Sequence, residues 1–172
     1  PRITVLDDER IRVQMSGRID GSSRVRVRIF SGNSCICEGE GMDVILQIPD
    51  VRHWDAEHPY LYTCEVCIEN EGSVTDKAVT SFGMRTLGWG KDGFLVNGKP
   101  VLLRGACIHH DNGVLGACCY PDAEARKIRI LKENGYNAIR SAHNPCSKAL
   151  LEACDRQGML VMDEFVDVWY IH

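Results

Sequence analysis

The sequence predicts a two-part chain: an antiparallel β-sandwich over residues 1–87, then a parallel α/β unit over residues 88–172. Three observations carry this reading. Before residue 88, apolar and polar residues alternate with a period of two, in runs separated by polar or glycine-rich turns such as DGSS, SGN and EGEG; that is the pattern of half-buried strands. After LGWGKDG, apolar strand-like runs alternate with segments of helical periodicity. The connections are short, and strand–helix–strand succession with short connections means parallel strands joined by right-handed crossovers.

The strands of the first part follow in order. ITV and RIRVQM open it, and SRVRVRIF (23–30) sets arginines outward and Val25, Val27 and Ile29 inward. DVILQI, YLYTCEVCIE and SVTDKAVTSFGMR continue the pattern. About seven short strands within ~100 residues is the signature of an immunoglobulin-like sandwich, here without an evident cysteine pair clamping the sheets.

In the second part, GFLVNGKPVLL reads as a hairpin around Asn97-Gly98, a pair suited to a type I′ turn. VLLRGACIH (101–109) reads as a strand. Asp122 is placed to cap a helix running to Asn134, with Ala125, Ile128 and Leu131 on one face and Gly135 as its stop. NAIRSAH (137–143) is the next strand. Ser147 caps a second helix that buries Leu150, Leu151 and Cys154 and ends at Gly158, and MLVMDEF (159–165) is the third strand.

Composition bounds the function. The chain has 172 residues, 44% hydrophobic and 26% charged, which is ordinary for a globular protein. A net charge of −4 and a pI of about 5.9 give no reason to expect nucleic acid or an anionic membrane as a partner. No apolar run approaches the ~20 residues of a membrane span. The opening PRITVLDDER has no basic or apolar leader region, so no signal peptide is expected; the absence of an initial Met suggests a piece of something longer. Nine cysteines cannot all pair, and free thiols without a signal peptide point to the reducing cytoplasm. Cys64-x-x-Cys67 and Cys35-x-Cys37 have metal-like spacing. On a strand, however, Tyr62, Cys64, Val66 and Ile68 share one face and Cys67 takes the other, whereas zinc needs converging thiolates. The cysteines are therefore read as small buried hydrophobes.

Functional groups in parallel α/β folds gather at the carboxyl ends of the strands. Three runs lie there: His109-His110-Asp111-Asn112, Ala142-His143-Asn144-Pro145, and Asp163-Glu164. Polar residues from three strands on one rim favour a site over satisfied structural histidines. Because His109 and His110 are neighbours on an extended chain, one is expected to face the pocket and the other to pack behind it.

The segments FGMRTL, DGFLVNGKPVLLRGACIHHD, NAIRSAHNP and LLEACDRQGMLVMDEF, in this order and spacing, resemble glycoside hydrolase family 2, and the likeness runs from about Trp54 (WDAEHPYLYT) to about Trp169. The family includes β-galactosidases, β-glucuronidases and β-mannosidases. The resemblance implies an immunoglobulin-like β-sandwich followed by the first three β-strands and two helices of a truncated TIM barrel, a (β/α)₈ fold. The stretch HHDNGVLGA looks more like the galactosidase members.

By position, the resemblance gives His109 and His143 contacts to sugar hydroxyls, with Asn144 beside them in SAHNP. Arg140 matches an arginine near the nucleophilic carboxylate, where a cation would hold that group ionised; an ordinary barrel salt bridge is the alternative. Asp163 and Glu164 match an Asp-Glu pair at the end of the third strand. They cannot be the catalytic pair, because retaining glycosidases need carboxyl groups ~5–5.5 Å apart across the glycosidic bond, whereas neighbours on a strand diverge. The resemblance places the catalytic acid/base and nucleophilic glutamates on the fourth and seventh strands, beyond residue 172. Some members carry a magnesium site on a Glu-x-His after the third strand; here FVDVWYIH departs from it, so no metal and no cofactor are expected. Asp167 and Trp169 stand there instead, and Trp169 is a candidate for stacking on a sugar face, with a core role as its alternative.

The expected protein is thus part of a retaining β-glycosidase, with a β-galactosidase favoured and a β-linked glycoside or oligosaccharide as partner. The chain alone is expected to be inactive and to self-associate through an open barrel edge at its third strand. The alternative is a non-catalytic immunoglobulin-like module that binds carbohydrate or protein.

Overall fold

A computed structural model describes residues 1–166, and its packing divides the chain into two compact units. The first comprises Pro1–Trp54 and Tyr60–Pro100, the second Asp55–Pro59 and Val101 onward.

The first unit is a two-sheet sandwich. One sheet has the order β1 (Arg2–Val5), β2 (Arg10–Gln14), β5 (Asp43–Gln47). The other has the order β4 (Ser34–Glu40), β3 (Arg24–Ser31), β6 (Tyr62–Asn70), β7 (Ser73–Phe82), and all pairs are antiparallel. Period-two alternation builds its core: Ile11 and Val13 from β2, Val25, Val27 and Ile29 from β3, Leu46 from β5, and Tyr62, Cys64 and Val66 from β6 form one buried cluster. Strand β4 was not among the expected runs. Its sequence SCICEGE alternates weakly, and it is held mainly by six residue pairs to β3 across a bulge at Ile29/Phe30, with only Ile36 and Cys37 packed against the core.

Strands β8 (Leu87–Gly90), β9 (Gly93–Val96) and β10 (Lys99–Pro100) make a small antiparallel meander that packs within the first unit. The division by packing thus falls after Pro100, while the sequence pattern changes near residue 88. The expected turn at Asn97-Gly98 is present, with φ of 51° and 73° at the two central residues.

The second unit holds three parallel strands in the order β11 (Gly105–Ile108), β12 (Ala138–Ser141), β13 (Leu160–Asp163). Helices α1 (Pro121–Glu133) and α2 (Lys148–Gln157) cross between them. Ile128, Ile139, Leu150, Ala153, Cys154 and Met159 form the core between sheet and helices, with Ile108 and Val161 packed against it. Ser147 caps α2 by accepting from the Leu150 N–H, and Gly158 ends it in the left-handed region, as the residue types require.

Four expectations need correction. Leu151, expected to be buried by α2, is exposed, and Ala153 fills the core with Leu150 and Cys154 instead. The cysteines are not all buried: Cys35, Cys107 and Cys118 are exposed. Helix α1 starts at Pro121, not at an Asp122 cap; Tyr120 is the N-cap and makes no side-chain bond. Proline at the first helical position needs no N–H partner, and Asp122 instead sits in the first turn near the positive end of the helix dipole. The strand expected over 101–109 covers only Gly105–Ile108. The buried Asn137 side chain takes over the backbone just before it, accepting from Arg104 N at 2.7 Å and donating to Leu102 O at 2.9 Å. That replaces ladder hydrogen bonds and leaves Leu102 exposed. Gly105 is required where the ladder begins, since a Cβ there would lie 2.8 Å from the Ala138 carbonyl oxygen.

Candidate functional site

The parallel register sets which residues share a face. Cys107 stands opposite Arg140, and Arg140 opposite Met162. These three lie on the sheet face away from the helical core. Arg140 donates to Cys107 Sγ at 3.1 Å and forms an ion pair with Glu164, just past the end of β13. The thiol and then the Glu164 carboxylate raise the Arg140 guanidinium above its usual value.

Glu164 has a second partner, the backbone N–H of His143. That N–H, followed by Arg140, holds the Glu164 carboxyl below the usual carboxylate range. His143 adopts φ of 74°, a left-handed backbone that a non-glycine residue takes at a cost. The turn is held on both sides: Ser141 Oγ donates to the Asn144 carbonyl at 3.1 Å, and Asp163 Oδ1 accepts from Cys146 N at 3.0 Å. The imidazole of His143 thereby meets that of His109, with ring centroids 5.2 Å apart.

His109 and His110 separate as neighbours on an extended chain must. His109 is exposed and turns to His143, while His110 Nε2 lies 3.2 Å from the Pro145 carbonyl oxygen. His109, His143, Arg140 and Glu164 gather at one rim. Asn144 is exposed beside them and engages through its carbonyl. Asp163 faces the 143–147 loop rather than the rim, anchoring it. Trp169 and Asp167 lie outside the described residues. Among the described residues no group of three or more His, Cys, Asp or Glu is arranged to hold a metal ion.

Sequence reasoning missed Cys107 and Glu124, and placed Asn112 at the rim without its tie to Glu124. The register of β11 against β12 exposes the first. Glu124 had a signal, an acidic residue early in a helix following an Asn-Gly loop, that reads equally well as ordinary helix chemistry.

A β-sandwich followed by a parallel strand–helix–strand–helix–strand unit, with polar side chains at the carboxyl rim of its strands, defines a two-part β and α/β protein. Residues 3–85 match the family described as "Glycosyl hydrolases family 2", and residues 90–168 match its TIM barrel domain. The chain is 41% identical over 125 residues to Beta-galactosidase BoGH2A of Bacteroides ovatus, an alignment that covers 72% of this chain and 15% of that protein. It is 34% identical over 154 residues to the Beta-glucuronidase of Mus musculus, covering 85% of this chain and 24% of that one. The crystal structure of a glycosyl hydrolase family 2 member from Bacteroides cellulosilyticus superposes with a TM-score of 0.86 at 37% identity, covering all of this chain and 24% of the other. The chain belongs to glycosyl hydrolase family 2. It spans about a seventh to a quarter of the length of these relatives.

Proposed function

We propose that the chain is part of a retaining β-glycosidase that hydrolyses terminal β-linked sugars, with a β-galactoside as its preferred substrate. Its rim binds the sugar, and its domain boundary lies near residue 88. The observation that carries the reading is the approach of His109 and His143, from the ends of two parallel strands, beside the Arg140–Glu164 pair. Imidazoles there can donate to sugar hydroxyls as charge develops at the anomeric carbon, and hydrogen bonds that tighten in the transition state lower the barrier. The identity of 41% to a β-galactosidase supports the galactoside preference.

Asp163 and Glu164 are committed to the 143–147 loop and to Arg140. The acid/base and nucleophilic carboxylates, which must stand ~5–5.5 Å apart, are therefore assigned to the remainder of the barrel. On this proposal residues 1–172 alone bind without turning over, and the open edge of β13 makes the isolated chain prone to self-association.

The test compares the whole protein with residues 1–172 on nitrophenyl β-galactoside, β-glucuronide and β-mannoside. Turnover by the whole protein, fastest on the galactoside, and none by the shorter chain is the expected result. A preference for the glucuronide overturns the substrate assignment. Turnover by residues 1–172 that disappears in Asp163→Ala or Glu164→Ala overturns the assignment of the catalytic carboxylates.

A further inference from the structure

Helix α1 carries a carboxylate that the rim described above does not use. Glu124, in its first turn, is 1% exposed. Taking a carboxylate out of water costs several kcal/mol unless partners compensate. Its Oε1 accepts from Asn112 Nδ2 at 2.9 Å. Its Oε2 lies 3.0 Å from Lys127 Nζ as an ion pair, without hydrogen-bond alignment. Burial pushes the Glu124 carboxyl up, but the Asn112 amide and the Lys127 ammonium outweigh it and hold the group below its usual value.

Asn112 is the centre of the loop between β11 and α1. The Nδ2 that reaches Glu124 also donates to the Cys118 carbonyl at 2.9 Å. The Asn112 backbone N–H closes the same loop on Gly116 O at 2.8 Å. Two residues upstream of Asn112, His110 meets the Pro145 carbonyl, and one residue before that stands His109. Glu124 also shares with both histidines the wall of a cavity of about 10 Å³ between β11 and the helices. A buried, ionised group tied to a loop three residues from a site histidine does more than cap its helix.

We propose that Glu124 is a positioning residue of this site: acting through Asn112, it holds the loop after β11 so that the His109 ring stands against His143. The proposal rests on the reading of the rim as a sugar site. The carboxylate never meets the sugar. Its effect reaches the reaction through the placement of His109, where a shift of ~1 Å can lower a rate by about 100-fold.

The test uses the whole protein with Glu124→Ala, Glu124→Gln, Asn112→Ala and the Ala/Ala double variant, each measured for kcat, KM and crystal structure. Glutamine keeps an oxygen that accepts from Asn112 and drops the charge. Glu124→Ala and Asn112→Ala should each lower kcat/KM by about tenfold or more, the double variant no further than either, and Glu124→Gln should return to within about threefold. The His109–His143 separation should widen in both alanine variants and not in the glutamine one. Losses that add in the double variant, a glutamine variant as impaired as the alanine one, or an unchanged ring separation overturns the proposal. If Glu124→Ala does not fold, Asn112→Ala on the exposed loop decides by the same measures. If the whole protein hydrolyses no glycoside, the proposed function fails, and ring separation alone decides the role of Glu124.

Discussion

The imidazoles of His109 and His143 face each other at 5.2 Å with their planes inclined by 33°, although they leave different strands. Parallel pairing brings the two chain segments to one rim, and the turn after β12 then rotates the second ring toward the first. That turn needs φ of 74° at His143. A β-carbon in this region costs ~1–2 kcal/mol, and residues kept there against that cost concentrate at functional sites.

His143 therefore separates function from stability. On the proposed reading of the rim as a sugar site, His143→Ala in the whole protein should lower kcat/KM by about 100-fold, as the loss of a hydrogen bond that strengthens in the transition state would. His143→Gly should lose as much activity while melting at the same temperature or higher, because glycine relieves the strained φ. Steady-state kinetics and thermal melts of the two variants check this. Wild-type kcat/KM with a lowered Tm would assign the histidine to the fold instead.

Glu164 gives a pH prediction. Its carboxyl is held down first by the His143 N–H and second by Arg140. A carboxyl lowered in the folded state stabilises above its ordinary value, and that contribution is lost as pH falls through the lowered one. The 143–147 turn should thus loosen only in acid, below the pH at which free carboxylates protonate. Carboxyl ¹³C titration should place Glu164 below the ordinary glutamate value. Arg140→Gln should raise it only part of the way, since the larger contribution is the backbone N–H. Full return to the ordinary glutamate value in that variant would show that Arg140, not the turn, sets it.

What the sequence made legible follows from the physics of each element. Alternation in RVRVRIF and the capping residues Ser147 and Gly158 act locally, so they could be read without neighbours. The parallel order of β11, β12 and β13 followed from short crossovers. Strand β4 was hidden because its pairing, not its composition, makes it a strand. The early residues of the 101–109 run left the sheet because Asn137, far along the chain, claims their backbone. At the site, strand ends pointed to His109 and His143, and the family resemblance pointed to Arg140. The division of labour between Asp163 and Glu164, and the buried Glu124, depend on side chains meeting across 17, 21 and 12 residues of sequence. Local pattern carries no such information.

The cysteines should sort by burial. All nine are free thiols: Cys35, Cys107 and Cys118 are exposed, while Cys64, Cys67 and Cys154 are buried. Burial pushes the Cys64 thiol up to about 11 and raises that of Cys154 as well. Since the thiolate is the reacting species, the exposed three should label within the native chain at mildly alkaline pH, and the buried three only after unfolding. Peptide mapping after thiol-specific labelling reads this directly. Labelling of Cys64 as fast as Cys35 would contradict its place in the sandwich core.

Two glycines in the second unit share a left-handed backbone and differ in their surroundings. Gly135 has φ of 83° and open space where a Cβ would stand. Gly158 has φ of 75°, and there a Cβ would lie 2.3 Å from the Ala56 carbonyl oxygen. That carbonyl is fixed, because Lys132 Nζ bridges it at 2.6 Å and the Gly158 carbonyl at 3.1 Å. Gly135→Ala adds only the backbone term and should cost ~1 kcal/mol. Gly158→Ala adds a collision with backbone that must be relieved by moving the 55–59 segment or the end of α2, so its loss should reach ~3 kcal/mol or more. Asparagine sharpens the contrast. It tolerates the left-handed region better than alanine, so Gly135→Asn should be close to neutral while Gly158→Asn stays as damaging as alanine. Urea unfolding followed by the helical circular dichroism signal isolates the effect, since α1 and α2 both belong to the second unit. Equal losses at the two positions would mean that the 55–59 segment yields freely and does not brace the end of α2.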